Sequence, residues 1–275
     1  MSEPASHVSV QPAATVMLVR DAITGEAGGS LEVLMLRRHP EAVFAADAWV
    51  FPGGRVDEAD HHAAPGSLGP SDEEASAALG MESGGLAWWV AAARECFEEA
   101  GILLARHAGS GAWLDASGEW GAARLARYRR EVHAGATTLA AVLEAEGLVL
   151  DLSGIHYVSH WITPPGPTAR RFDTRFFVAE CPPGQVASHD AAETVESFWA
   201  PPAEALARGE AGEIQLLIPT IANLRALARF SSVAGLVAAA RSIGSVPLAA
   251  PRFRGDPAVP AGVLSPLDPE SSCPT

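Results

Sequence analysis

Three glutamates are spaced so that a single helix would present them together. Glu95, Glu98 and Glu99 stand at positions i, i+3 and i+4, and at about 100° per residue they fall within about 100° on one helix face. The apolar residues of the same stretch fall on the opposite face, where they would pack against a core: Trp89, Val90, Ala93, Phe97 and Ala100. Like charges at this spacing oppose a helix by roughly 0.2 to 0.5 kcal/mol per pair, and a bound cation would remove that repulsion. Oxygen ligands select hard ions, so the stretch predicts a Mg²⁺ or Mn²⁺ site.

The alternative for such an acidic run is a solvated helix face, which is what most acidic runs form. The upstream sequence Pro52-Gly53-Gly54 favours the metal site, because a glycine turn lets a backbone carbonyl approach a metal that the helix holds. We therefore expect Glu98 and Glu99 to be metal ligands and Glu95 to be either a ligand or the general base.

Strand-like and helix-like segments alternate around the acidic stretch, which indicates a mixed α/β fold. The strand-like segments are 15–20, 31–37, 48–51, 157–163 and 171–179. The helix-like segments are 86–104, 119–146, which carries two helical patterns, and 216–240. Residues 15–20 and 31–37 predict a hairpin-like pair, and Gly101 is typical of a helix C-cap. Residues 57–85 are poor in large apolar side chains, so they predict a surface insertion.

Composition limits the classes of function. The 275 residues are 48% hydrophobic and carry a formal charge of −14, which would repel the phosphates of a nucleic acid. Cys96, Cys181 and Cys273 are odd in number and lack zinc-ligand spacing, which fits a reducing cytoplasm. We find neither a basic, apolar leader nor a run of roughly 18 to 20 apolar residues, so we expect a cytoplasmic protein without a membrane partner.

The acidic stretch is also part of a longer pattern. Gly54, Asp60 and the run RECFEEAGI at 94–102 resemble the Nudix box, G-x5-E-x7-R-E-U-x-E-E-x-G-U, where U is apolar. Two features depart from it: Asp60 stands in place of glutamate, and residues 61–93 stand where the family usually has seven. An insertion at this point is similar to the coenzyme A diphosphatase branch of the Nudix hydrolases, particularly the animal peroxisomal type. Other segments similar to this branch are VLMLRR at 33–38, VFPGG at 50–54 and RRFDTRFF at 170–177.

The resemblance implies a fold and boundaries. It implies a Nudix-type α/β/α sandwich with a mixed sheet and helical insertions, and it makes a homodimer plausible. The expected domain is 12–243, with an insertion at 61–85 inside the box and a helical insertion at 110–150. A flexible N-terminus, 1–11, and a Pro-rich C-terminal tail, 244–275, would flank it.

The resemblance further implies metal-dependent hydrolysis of a diphosphate bond. The expected substrate is coenzyme A or an acyl derivative, cut to 3',5'-ADP and a 4'-phosphopantetheine. ADP-ribose, a dinucleotide or another nucleoside diphosphate derivative is the alternative substrate, and a ligand-sensing domain without catalysis is the alternative class. By the same resemblance the Gly54 carbonyl is a further metal ligand, Arg94 orients Glu95, and Asp60 holds its loop to the helix.

Residues outside the box are candidates for the remaining roles. Glu196, or alternatively Glu193, lies where some Nudix enzymes carry a base on a later loop. The guanidinium groups expected to bind phosphate oxygens are those of Arg37, Arg170, Arg171 and Arg175. On a strand Arg171 and Arg175 share a face and Arg170 points away, so at least one of the three is expected to be an ordinary surface residue.

Two adjacent tryptophans precede the glutamates on the same predicted helix. Trp88 and Trp89 are expected to belong to the core and its rim. The alternative is that they stack an adenine or line a pantetheine channel.

Overall fold

The computed structural model of the chain describes residues 9–22, 30–63, 66–116, 121–165 and 170–251. The strands in these ranges are β1 (Val10–Asp21), β2 (Leu31–Arg38), β3 (Ala48–Val50), β4 (Gly53–Arg55), β5 (Ala105–His107), β6 (Leu148–Leu150), β7 (Ile155–Ile162), β8 (Arg171–Glu180), β9 (Thr194–Ala200), β10 (Gln215–Leu216) and β11 (Leu248–Ala249). The α-helices are α1 (Asp72–Leu79), α2 (Leu86–Ala100), α3 (Gly121–His133), α4 (Leu139–Glu146), α5 (Pro202–Glu210), α6 (Ile218–Leu227) and α7 (Val233–Arg241), and a short 3-10 helix spans Glu58–His61.

Nine of the strands form one mixed sheet. Its order is β10-β3-β2-β1-β8-β7-β11, with β4 added on β1 and β9 added on β2. Strand β1 is antiparallel to β2 and β4 but parallel to β8. The predicted hairpin is confirmed, since Val19 of β1 lies opposite Val33 of β2.

Helices cover both faces of the sheet, which confirms the predicted α/β/α sandwich. Ala14, Val16 and Leu18 of β1 face a core shared with α2, α3 and α4. Met17 and Val19 alternate with them and face a second core shared with α6 and α7. A strand that is buried on both faces reads as a nearly continuous apolar run, as β1 does.

Several boundaries differ from those expected. The helix-like segment 86–104 extends past the end of α2, which stops at Ala100 because Gly101, the expected C-cap, adopts a left-handed φ of 72°. The predicted helix at 216–240 is two helices, since α6 ends at Leu227 and Ser232 caps α7 by accepting the N–H of Gly235. The surface insertion contains α1, which the sequence pattern did not indicate.

The expected termini are only partly described. Val10 and Gln11 belong to β1, and β11 pairs with β7, so these described residues of the two segments are part of the sheet. Residues 1–8 and 252–275 lie outside the described residues. None of the helices in the described ranges has the length and apolar character that a bilayer span requires.

Candidate active site

The helix α2 carries the glutamates, and the insertion holds its first turn. The side chain of Asp72, at the start of α1, accepts the N–H of Gly84 at 2.9 Å and that of Leu86 at 3.0 Å. These N–H groups lie at the amino end of α2, where backbone donors lack partners within the helix. These hydrogen bonds lower the pKa of Asp72. The insertion is therefore a structural support for the helix.

Arg94 is the centre of a buried network. Its Nε donates to Asp60 Oδ1 at 2.9 Å and its Nη2 to Asp60 Oδ2 at 3.0 Å. Its Nη1 donates to Glu95 Oε1 at 2.9 Å and to Glu98 Oε1 at 3.0 Å, and its Nη2 reaches the carbonyl of Arg55 at 2.8 Å. Asp60 is only 2% exposed. Asp60 thus holds its loop to the helix, as the resemblance implied, although it is shorter than glutamate.

Glu95 and Glu99 lie against the glycine turn. The N–H of Gly53 donates to Glu99 Oε2 at 3.0 Å. A Cβ at Gly54 would lie 2.4 Å from Glu95 Oε1, and one at Gly53 would lie 2.4 Å from Thr15 Oγ1. Such distances are far below van der Waals contact, so both glycines are needed for close approach.

This carboxylate pair fits a hard cation. Burial raises the pKa of Glu95, and Arg94 only partly opposes this effect. Burial and the neighbouring Glu95 raise the pKa of Glu99 well above its ordinary value. Glu99 Oε1 is buried and has no hydrogen-bond partner among the described residues. A divalent cation would satisfy that oxygen and relieve the repulsion between the two anions.

Glu98 differs from the other two glutamates. Glu98 shares Arg94 Nη1 with Glu95, but only Glu98 also lies near α3, with its Oε2 3.5 Å from His133 Nδ1. Among the described residues, no group of three or more carboxylate, histidine or cysteine side chains is arranged to hold a metal. Glu95 and Glu99 are the pair that lies against the glycine turn, and Glu98 lies beside Glu95 and lines the same cleft.

The raised pKa of Glu95 predicts a pH effect on the metal-free protein. Burial raises this pKa from 4.5 to about 7, so between these values the folded chain binds more protons than the unfolded chain. The stabilisation linked to this group is therefore complete below pH 4.5 and is lost as the pH rises through 7. Each pKa unit corresponds to about 1.4 kcal/mol, so the total is on the order of a few kcal/mol at most.

The measurement is the free energy of unfolding of wild type minus that of Glu95→Gln, in EDTA, from pH 4 to 8. We expect this difference to fall across the window in EDTA and to fall much less in excess Mg²⁺. A difference that stays flat with pH in EDTA would contradict the burial argument.

A cleft of about 1690 Å³ opens beside the carboxylate pair. Its charged lining includes Arg38, Arg170 and Glu193 besides the glutamates of α2. Its apolar wall is formed by Phe44, Trp161, Phe172, Phe176, Leu216 and Ile218. The rings of Phe44 and Phe172 meet edge to face with centroids 5.2 Å apart. The cleft is therefore lined partly by apolar side chains and partly by charged side chains.

The two candidate bases lie in different places. Glu196 pairs with Arg37 across strands β9 and β2, with Oε2 3.2 Å from Arg37 Nη1. Arg37 also bonds to Asp47 at 2.8 Å. Glu193 lines the cleft, and its charge raises the pKa values of Glu95 and Glu99. Glu193 is thus better placed than Glu196, and Arg37 is occupied by other partners.

The expected phosphate-binding arginines of the segment 170–175 lie in two different places. Arg170 lines the cleft together with Phe172 and Phe176. Arg171 and Arg175 alternate with those residues on β8: Arg171 Nε donates to the carbonyl of Thr163 at 3.0 Å, and Arg175 contacts Asp173 and His160. These two arginines are outside the cleft lining of the described residues, and we do not retain them as phosphate ligands.

The two tryptophans of α2 belong to the core. Both are buried, and Trp89 Nε1 donates to the carbonyl of Ile155 at 2.9 Å. The ring of Trp89 meets that of Phe177 edge to face with centroids 4.8 Å apart. The alternative of an adenine-stacking surface is not supported.

Sequence reasoning missed three residues of the site. Arg38 Nη1 lies 3.8 Å from Glu99 Oε1, and its Nη2 lies 4.0 Å from Glu193 Oε2. His133 contacts Glu98, and Arg129 bonds to the end of α2. A signal existed for Arg38, since it continues the alternation of Leu34 and Leu36, which face the α2 core. No signal placed the two α3 residues.

Solved structures and sequence relatives agree on the class of protein. A NUDIX hydrolase from Alicyclobacillus acidocaldarius superposes with a TM-score of 0.68 at 28% identity, over 85% of this chain and 97% of that one. This match and the glutamate helix beside the glycine turn define a Nudix-domain protein.

The family follows from the sequence comparisons. The model of the NUDT19 Nudix domain matches residues 72–227, more than half of the chain, and the chain belongs to that family. The acyl-coenzyme A diphosphatase NUDT19 of Gallus gallus is 33% identical over 236 residues, which cover 74% of this chain and 62% of that protein. The protein of the same name from Homo sapiens is 32% identical over 239 residues, with the same two shares. The chain thus spans about 62% of the length of these curated relatives.

Proposed function

We propose that this chain is a divalent-metal-dependent diphosphatase acting on coenzyme A or its acyl derivatives. The observation that carries the proposal is the buried pair Glu95 and Glu99, held against Gly53-Gly54 at one side of a large cleft. Two buried anions are costly, and Arg94 and the more distant Arg38 neutralise them only in part, so a divalent cation is a suitable further partner for them. The names of the NUDT19 relatives support the choice of substrate.

The cleft suits a substrate with a charged centre and an apolar arm. Arg38 and Arg170 line it and can donate to phosphate oxygens, since a guanidinium suits bidentate phosphate binding. Arg38 Nε is buried and has no hydrogen-bond partner in the described part of the chain. The apolar wall around Phe44 and Phe172 would accommodate a pantetheine arm or an acyl group. We therefore assign the phosphates to the arginine side and the arm to the aromatic side.

The protein groups then have distinct tasks. Glu95 and Glu99 would hold the cation, which supplies charge neutralisation and a lower pKa for water. The Gly54 carbonyl and Glu98 are further candidate ligands, and Mg²⁺ or Mn²⁺ suits the all-oxygen donor set. Arg94 would keep the Glu95 carboxylate in place through the 2.9 Å bond to Oε1.

The chemical step is the attack of water on one phosphorus. The bond to the bridging oxygen breaks, one proton of the water passes to a carboxylate oxygen of Glu193, and 3',5'-ADP and a 4'-phosphopantetheine leave. Arg38 and Arg170 would hold the phosphate oxygens as charge builds on them.

Glu193 and Glu196 form a matched pair for testing the base. Glu193→Gln is expected to lower kcat by about 10² or more, because general base catalysis contributes about 10² to 10⁴. Glu196→Gln only breaks an exposed ion pair with Arg37, so its kcat should stay close to that of wild type. The measurement is steady-state hydrolysis of an acyl-coenzyme A in Mg²⁺. A larger loss of kcat in Glu196→Gln than in Glu193→Gln would instead identify Glu196 as the general base.

The substrate is tested by a panel of coenzyme A, short and long acyl-coenzyme A, ADP-ribose and a dinucleotide, in Mg²⁺ and in Mn²⁺. Product masses in ¹⁸O-labelled water show the bond that is cut and the phosphorus that is attacked. Preferred hydrolysis of coenzyme A compounds supports the proposal, whereas faster cleavage of ADP-ribose or the dinucleotide would overturn the substrate. Binding without turnover of any of them would favour a sensing domain.

Partners and location belong to the same proposal. The charge of −14 supports a chain that does not bind nucleic acid. We propose a cytoplasmic enzyme that acts on a small molecule and not at a membrane, in keeping with the few, unpatterned cysteines. The homodimer implied by the resemblance is tested by light scattering.

A further inference from the structure

Arg129 of α3 is bound to the residues that carry the carboxylates. Its Nε donates to the carbonyl of Glu98 at 2.7 Å, and its Nη2 donates to the carbonyl of Glu99 at 2.6 Å. These carbonyls lie in the last turn of α2, where the helix leaves acceptors without internal partners. The guanidinium thus fixes the backbone beneath two of the three glutamates.

The same guanidinium holds a second segment. Its Nη2 donates to the carbonyl of Ser188 at 2.9 Å, and its Nη1 donates to Ser188 Oγ at 3.2 Å and to the carbonyl of His189 at 3.3 Å. The N–H of Ser188 in turn donates to the carbonyl of Ala100 at 2.9 Å. Arg129 therefore joins the end of α2 to the segment 188–189.

This segment leads directly to Glu193. The carboxylate of Asp190 accepts the N–H of Glu193 at 3.0 Å and the N–H of Thr194 at 2.8 Å. It also accepts the hydroxyl of Thr194 at 2.8 Å. Asp190 therefore closes the turn that carries Glu193, and the residues just before this turn, 188 and 189, accept hydrogen bonds from Arg129.

The acceptors of Arg129 are unusual for a half-buried arginine. Four are backbone carbonyls and one is a serine hydroxyl, and together they match the five N–H donors of a guanidinium. Burial lowers the pKa of Arg129. Backbone acceptors tie chain segments together, whereas an ion pair with a carboxylate would fix only a side chain.

We propose that Arg129 is a positioning residue, which sets the last turn of α2 and the turn carrying Glu193 at a fixed distance from each other. Its effect on turnover rests on the proposed function, but its effect on the carboxylate pair does not. The helical region at 110–150 would then contribute to the site through one side chain that does not touch the substrate.

The test compares Arg129→Met and Arg129→Lys with Arg127→Met. Arg127 lies on the same helix, is half exposed and is 3.9 Å from Glu131, so it is a matched control. Mn²⁺ affinity is measured by electron paramagnetic resonance titration, and kcat and KM are measured with an acyl-coenzyme A.

We expect Arg129→Met to weaken Mn²⁺ binding by about tenfold and to lower kcat by about tenfold or more, as for other groups that orient metal ligands. KM should change little, Arg129→Lys should be intermediate, and Arg127→Met should match wild type. In a Glu193→Gln background the loss of kcat caused by Arg129→Met should be smaller, because the positioned group is gone.

A folded Arg129→Met protein with wild-type Mn²⁺ affinity and kcat would overturn the proposal. If Arg129→Met does not fold, the same criterion applies to Arg129→Lys: a folded Arg129→Lys protein with wild-type Mn²⁺ affinity and kcat would overturn the proposal. If wild type turns over no coenzyme A compound, the proposed function fails, while the Mn²⁺ comparison still decides the role of Arg129.

Discussion

Replacing Glu99 with glutamine is expected to abolish turnover and to leave the fold intact. Glu99 is 1% exposed, and its Oε1 has no hydrogen-bond partner among the described residues. Loss of this ligand would weaken the hold on the cation, whose neutralisation of charge in the transition state is worth several kcal/mol. Each 1.36 kcal/mol is a factor of ten, so kcat should fall by about 10³ or more. The glutamine oxygen can still accept the N–H of Gly53.

The thermal stability of this variant separates a metal site from a structural site. Because burial disfavours the anionic form of Glu99, metal-free Glu99→Gln should unfold at the same temperature as wild type or higher. Added Mg²⁺ should stabilise wild type more than the variant. Glu144→Gln, an exposed change on α4, is the control for both measurements. Full activity of Glu99→Gln would remove the metal assignment.

Replacing Arg94 with methionine is expected to destabilise the chain strongly as well as to inactivate it. The change leaves Asp60 buried without its cation, and breaking a buried pair costs about 3 to 5 kcal/mol. Chemical denaturation measures the free energy of unfolding. Arg127→Met, which removes an exposed arginine, should cost less than about 1 kcal/mol.

A second substitution tests the cause of that loss. Asp60→Asn in the Arg94→Met background should recover part of the stability, because it removes the unpaired charge. Additive losses from the two changes would instead mean that the network around Arg94 does not couple them. Activity should stay low in the double variant, since Glu95 has lost its partner.

Several features of this site could be predicted from the local sequence. The i, i+3, i+4 spacing of the glutamates and Gly101 after them predicted the helix, its polar face and its end without reference to the rest of the chain. The Gly53-Gly54 pair predicted that a backbone carbonyl can approach a metal held by the helix, and in the structure this turn lies against Glu95 and Glu99. The link from Asp60 to Arg94 required the resemblance, because 33 residues separate the two in sequence.

Choices between neighbouring residues required the tertiary structure. Arg37 and Arg38 are neighbours in sequence, and Glu193 and Glu196 are three residues apart. Arg38 and Glu193 line the cleft, whereas Arg37 and Glu196 bond to each other across β2 and β9. Successive side chains of a strand point to opposite faces, so a shift of one residue in register exchanges the two roles. Alternation with Leu34 and Leu36 places Arg38 on the α2 face of the sheet, but it cannot place Glu193, which precedes β9.

The sequence by itself determined which glutamates share one face of α2, since helical spacing is a short-range property of the chain. Only the tertiary structure decided that Glu98 lies beside His133 of α3 and that Arg129 of α3 binds carbonyl groups at the end of α2. These contacts depend on how α3 docks against α2. Docking is set by packing between segments distant in sequence, which no local pattern records.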